Sequence, residues 1–218
     1  MYIFLLLGII LSIWASVNVK SKFRKYSNKL NTTGWTADEI AMWILRQNGI
    51  NDVSIEHIEG ELTDHYDPRD KVLRLSDNVY RKKSIAAVGV AAHECGHAIQ
   101  HAYGYGPLEL RSKLVPIANI GSHASEIFIF IGILFGFTGM LNIGILLFSA
   151  VVMFYMVTLP VEFNASNRAC AVLKNSGYFG DTELSAVRKV LNAAAMTYVA
   201  SALVAVLQLI RLIAISRD

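Results

Sequence analysis

Hydrophobic positions along this chain follow two rhythms. In some stretches they run almost unbroken, as in YIFLLLGIILSIWASV over positions 2–17 and IFIFIGILFGFTGMLNIGILLFSAVVMFYMVTLPV over 127–161. A helix crosses the hydrocarbon core of a bilayer in roughly 20 residues, so the second run is too long for one span. With the apolar approach LVPIANIGSHASE it predicts a helical hairpin over 116–161, turning at Gly136, Gly139 and Asn142. The first run predicts an anchor over 1–19. A last apolar stretch, Val190–Ile215, is rich in Ala and carries Arg211, and it predicts a spanning or interfacial helix over 190–218.

Between the first two runs the rhythm changes to that of a folded α+β unit over 20–115. TADEIAMWILRQNGI has helical spacing, with Thr36 as N-cap, Glu39 at the capping-box position and Gly49 past the end. DVSIEHI and GELTDHYDPRDKVLRLS predict short strands, with a turn at Asp67, Pro68, Arg69 and Asp70. Ser76 or Ser84 then caps a helix carrying IAAVGVAAHECGHAIQHAY. Its uncharged part is short and made of Ala, Gly and Val, which predicts a buried core helix outside the bilayer.

Composition agrees with lipid as part of the solvent: 54% of residues are hydrophobic and the mean hydropathy is +0.42. Basic residues fix the expected orientation. Lys20, Lys22, Arg24 and Lys25 follow the first run, and Arg81, Lys82, Lys83, Arg111 and Lys113 precede the hairpin. Positive charge marks the cytoplasmic side, so the 20–115 unit is expected in the cytoplasm and the first segment is expected to be a retained anchor rather than a cleaved signal. The net charge of +3 is then a signal of topology. It gives no reason to expect nucleic acid, and lipid head groups are the expected charged partners. Cys95 and Cys170, the two cysteines, are expected to be reduced there.

The chemistry sits in AAHECGHAIQH, from Ala91 to His101. His93 and His97 are four apart, on one helix face, so both imidazoles can converge on one ion. Glu94, about 100° around the helix, can take a proton from a water held there. Cys95 points away from that face, which suits packing rather than ligation. A catalytic zinc takes three protein ligands and leaves a position for water. His101 rises about 12 Å beyond His93, too far for the same ion, and His57 and His65 lie on strand segments. Glu162, in LPVEFNASNRAC, is the better candidate: two hairpin crossings return the chain to the side of His93 and His97. Glu126 and Glu183 remain rivals.

HECGH followed by a transmembrane hairpin and EFNAS resembles the membrane-bound gluzincin peptidases, most closely the neutral zinc metallopeptidases of the YugP type; DHYDPRDKVLRLSDNVY also looks like that family. The resemblance covers nearly the whole chain. It implies one catalytic zinc ion held by His93, His97 and Glu162, Glu94 as general base, and cleavage of peptide bonds. The glutamate of HtpX-like relatives is followed four residues on by an aspartate that supports the first histidine. Here that position is Ser166, so support for His93 passes to Ser166 or Asn164, or to Asp64 or Asp67 from elsewhere. By the same analogy the strand at Lys71–Leu75 offers an edge for substrate. Tyr103, Tyr105, His65 and Arg168 are candidates to stabilise an oxyanion.

The expected molecule is thus a mainly α integral membrane protein with about four transmembrane helices and a small cytoplasmic α+β zincin-like unit. A helix over 162–189 is expected to carry the third ligand. Expected substrates are membrane-associated or unfolded polypeptides, cut at the cytoplasmic face of the cell membrane. A zinc-binding membrane scaffold without turnover and an intramembrane metalloprotease are the rival readings. The sequence does not fix an oligomeric state, although Gly132 and Gly136 are spaced as a helix-packing pair.

Overall fold

A computed structural model describes residues 2–217. Met1 and Asp218, the outer ends of the anchors expected over 1–19 and 190–218, lie outside the described residues. The elements in order are α1 (Tyr2–Ser27), α2 (Ala37–Gln47), β1 (Ser54–Ile58), β2 (His65–Asp67), β3 (Val72–Ser76), α3 (Ile85–Ala102), α4 (Gly106–Phe135), α5 (Thr138–Asn175) and α6 (Asp181–Ile215). Four of these, α1, α4, α5 and α6, are long and apolar enough to cross a membrane. The chain is a mainly α membrane protein with a small α+β part.

It divides into two compact units. An apolar unit gathers residues 1–16, 106–160 and 196–218; a mixed unit gathers 17–105 and 161–195. In the apolar unit, α4 and α5 form the hairpin. The turn is tighter than expected: Gly136 takes φ +70°, and Gly139 and Asn142 already belong to α5. Gly132 and Gly136 therefore do not act as a pair. A Cβ on Gly132 would meet Leu141 N at 2.6 Å, so this glycine lets the two arms touch, while Gly136 makes the reversal. Gly8 on α1 meets Val204 on α6 in the same unit.

In the mixed unit the capping box forms as expected. The Thr36 hydroxyl accepts from Glu39 N, and Thr36 N donates to the Glu39 carboxylate, a cap that contributes on the order of 1 kcal/mol. Ile40 and Ile44 of α2 share one buried core with Ala91 and Ala92 of α3, Leu73 and Leu75 of β3, and Leu173 of α5. Ser84, not Ser76, caps α3 by accepting from Ala87 N; Ser76 instead serves Asp64.

The sheet order is β1-β3-β2, with β1 parallel and β2 antiparallel to β3. This corrects the expected substrate edge. The strand at Lys71–Leu75 is central, with a neighbour on each side, so its backbone groups are spent on β1 and β2. The edge strands are β1 and β2, and β2 is tied to α3 by a 2.9 Å hydrogen bond between Tyr66 Oη and His101 Nδ1.

Two further segments differ from expectation. The helix over 162–189 is instead the end of α5 and the start of α6, separated near Gly177, whose φ is +73°. The C-terminal helix begins at Asp181 rather than Val190. Helix α5 runs on through Pro160 to Asn175, and a short loop then leads into α6.

The closest approach in the mixed unit is between α3 and α5. A Cβ on Gly96 would lie 2.5 Å from Ala165 O and 3.1 Å from Ala165 Cα, both backbone atoms that a rotamer change cannot move. Gly96→Ala is expected to cost about 1–3 kcal/mol by forcing the helices apart. A thermal melt checks this against Gly139→Ala, where a Cβ meets nothing within 4 Å and the change is expected to be neutral or stabilising.

Candidate metal centre

The site is built where α3 crosses α5. His93 and His97 stand one turn apart on α3, flanking Gly96 on the face that meets α5, and Glu162 stands three residues before Ala165 on α5. His93 Nε2 lies 3.2 Å and His97 Nε2 3.7 Å from Glu162 Oε2, and the imidazole planes are nearly perpendicular at 83°. One ligand atom from each of the three residues falls within 4.8 Å of the others. Two ligands held about 2.0–2.1 Å from a tetrahedral ion stand roughly 3.4 Å apart, so the two distances from Glu162 to the histidines are close to those a zinc ion requires. Glu162 is 1% exposed, which a carboxylate tolerates only among strong partners.

Both histidines are held through Nδ1, and by different means. His93 Nδ1 lies 3.1 Å from Ser166 Oγ. His97 Nδ1 lies 3.0 Å from Gln100 Oε1. The Gln100 amide nitrogen donates to Val161 O at 2.8 Å and to Asn164 Oδ1 at 3.0 Å, so both its protons are used on acceptors and its oxygen must face His97. His97 therefore carries its proton on Nδ1 and leaves the Nε2 lone pair toward Glu162. Asn164 Oδ1 also accepts from Arg168 Nε at 2.7 Å, and the guanidinium lies 5.9 Å from the Tyr105 ring centre. Ser166, whose hydroxyl rotates, leaves His93 with either tautomer.

Charge around the centre is dense. Burial alone would lower the pKa of His97, but the Glu162 carboxylate beside its Nε2 and the charge of Glu94 outweigh burial and raise it. Burial pushes the Asp64 carboxyl above its usual range against two hydrogen bonds from Ser76, and the charge of Glu94 adds to the rise. Glu94 itself is buried, and among the described residues no hydrogen bond ties its carboxylate down. Its charge acts on His97 on one side and Asp64 on the other.

The remaining sequence candidates go elsewhere. His57 pairs with Asp77 at 2.7 Å, His65 bonds Thr63 O, and His101 meets Tyr66. Burial pushes the Tyr66 phenol up to about 12, so it stays the donor in that bond. Both carboxylate oxygens of Glu183 are used on Thr32 and Gly180. Glu126 lies on α4 in the apolar unit and is not in the cluster. Cys95 is fully buried with Sγ toward Ala41 O, and burial drives its thiol well above the usual range. Neither Asp64 nor Asp67 supports His93: Asp64 serves Ser76, and Asp67 receives Arg69 N and lies 3.6 Å from Arg74. Among the oxyanion candidates, Arg168 and Tyr105 belong to the Gln100 network and Tyr103 is 64% exposed.

Gln100 is the residue that sequence reasoning missed. The signal was present as a glutamine three after His97, on the same helix face, but a polar residue at that spacing usually meets solvent. Here it is fully buried.

Comparison with known proteins agrees with this geometry. The chain matches the family model described as "Putative neutral zinc metallopeptidase" over residues 1–217. It is 47% identical over 216 residues to "Putative membrane protease YugP" of Bacillus subtilis (strain 168), covering 99% of this chain and 96% of that protein. No solved structure matches. A match along the whole chain means that this protein belongs to the family described as "Putative neutral zinc metallopeptidase".

Proposed function

We propose that the protein is a zinc-dependent membrane endopeptidase, with His93, His97 and Glu162 as the ligands of one catalytic ion and Glu94 as the general base. The observation that carries this reading is the convergence of three ligand atoms from two helices within 4.8 Å of one another, with Glu162 Oε2 3.2 Å and 3.7 Å from the two Nε2 atoms. A zinc ion there supplies Lewis acidity that polarises a peptide carbonyl and brings the pKa of a water near 7.

The side chains divide the rest of the work. Gln100 and Ser166 aim the two imidazoles, so that Nε2 of each points to the shared position. Glu162 adds negative charge from the other helix. Glu94 Oε accepts the proton of the attacking water and returns it to the leaving amine nitrogen. Its carboxylate suits that role because no hydrogen bond among the described residues restrains it. An extended polypeptide is expected to pair with the outer edge of β2, next to α3, because β3 has no edge left. The basic residues Lys20, Lys22, Arg24 and Lys25, at the end of α1, favour a cytoplasmic site. The end of an apolar anchor at these residues favours membrane-associated or unfolded polypeptides as substrates.

The deciding experiment measures bound zinc per chain and cleavage of an unfolded protein in detergent. Glu94→Gln is expected to keep its zinc and lose cleavage by at least roughly 100-fold. Glu162→Ala is expected to lose both. If Glu94→Gln cleaves as the parent does, the peptidase reading fails and the scaffold reading takes its place. Labelling of α3 from lipid rather than from water would favour the intramembrane reading.

Gln100 gives a separate prediction. Gln100→Met keeps the volume and removes the acceptor of His97, and is expected to weaken zinc about 10- to 100-fold in chelator competition. Ser166→Ala is expected to cost less, because water can replace a rotating hydroxyl.

A further inference from the structure

One charged feature of the mixed unit has no part in the metal centre. A cleft of about 800 Å³ opens among the end of α1, the loop joining β1 to β2 and the segment that leads into α3. Lys20 and Arg24 line it from α1, and Lys82 and Lys83 line it from the approach to α3. All four are exposed, and among the described residues none enters an ion pair. Glu61 is the one carboxylate in the lining. Four cations against one anion leave a strongly positive concavity, which draws negative charge.

The walls are fixed in advance. Asn31 N and Ala37 N donate to Lys83 O and Lys82 O at 2.9 Å and 2.8 Å, so the backbone that carries these two lysines is tied down. In the loop, Gly60 N donates to Asp77 Oδ2 at 2.9 Å, and Asp77 N donates back to Gly60 O at 3.1 Å. Leu62 is held there at φ +56°, in the left-handed region that a leucine seldom adopts, and its side chain stays exposed at the cleft. Neutral donors accompany the cations. The Ser84 oxygen caps α3 by accepting from Ala87 N, and its hydroxyl proton has no acceptor among the described residues.

The surroundings identify the anion. Ile10, Ile13 and Val17 are exposed along α1, and the same steps of three and four residues lead on to Lys20 and Arg24. One face of the helix therefore passes from apolar to cationic at the end of the apolar run, where a bilayer gives way to its head groups. Leu30 and Leu62, both exposed, add apolar surface beside the four cations. A soluble phosphate would leave that surface unused, and so would an acidic polypeptide. We propose that the cleft binds the head group of an anionic glycerophospholipid, with its phosphodiester among Lys20, Arg24, Lys82 and Lys83 and its acyl chains leaving past Val17 along α1. The lipid thereby ties the end of α1 to the loop ahead of β2 and to the start of α3.

The test is native mass spectrometry of the full chain in detergent, titrated with phosphatidylglycerol or with phosphatidylcholine. Phosphatidylglycerol is expected to bind at least roughly 10-fold more tightly. Lys82→Gln combined with Lys83→Gln is expected to weaken it by roughly 30-fold. A control that removes two charges elsewhere, Arg46→Gln with Lys174→Gln, is expected to bind as the parent does. Circular dichroism melts confirm that each variant compared is folded. Equal affinity for the two lipids overturns the proposal, as does equal weakening by the two double variants. Displacement of phosphatidylglycerol by an equal concentration of glycerol phosphate assigns the cleft to a soluble phosphate, and displacement by an oligoglutamate peptide assigns it to an acidic polypeptide; either result also overturns it.

Discussion

The closeness of α3 to α5 at Gly96 and Ala165 is the constraint on which the centre depends. With no side chain at position 96, the backbone of one helix comes against the backbone of the other. Only at that separation do imidazoles on α3 reach a carboxylate on α5, whose Oε2 lies 3.2 Å and 3.7 Å from their Nε2 atoms. The motif is usually read for its two histidines and its glutamate. Here its glycine is equally necessary, because it sets the distance at which the other three can act together.

The second requirement is orientation, and the chain meets it with neutral groups. An aspartate behind a ligating histidine would make the imidazole more basic and add a buried charge beside Glu162. Gln100 and Ser166 fix direction without that charge. Gln100 does so strictly, because its two protons are bound to Val161 O and Asn164 Oδ1 and its oxygen has one place left to point. The network then continues through Asn164 to Arg168, so that guanidinium stands three hydrogen bonds from His97.

How much of this the sequence made legible depends on how local each signal is. The capping box at Thr36 and Glu39, the two-histidine helix and the spanning helices are set by residues within a few turns, and each forms as the pattern predicts. The closeness of Glu162 to the histidines was legible through the expected hairpin, whose two crossings would return the chain to their side. Strand order was not, because nothing in Lys71–Leu75 distinguishes a central strand from an edge until β1 and β2 are paired to it. Gln100 was hidden for a similar reason: its burial is decided by α5, far along the chain. The start of α6 was misplaced because the apolar run begins only at Val190, whereas the helix begins at Asp181.

The order of these residues along the chain has a bearing on biosynthesis. His93 and His97 are made before the hairpin, and Glu162 after both of its arms. A nascent chain that has reached Phe135 already carries the paired histidines and Glu94, yet it lacks the carboxylate, the Ser166 hydroxyl and the Asn164 acceptor that complete the centre. The cluster of His93, His97 and Glu162 thus stays incomplete until α5 has been made. Placing Glu162 after the α4–α5 turn makes completion of the hairpin the condition for bringing the three side chains together.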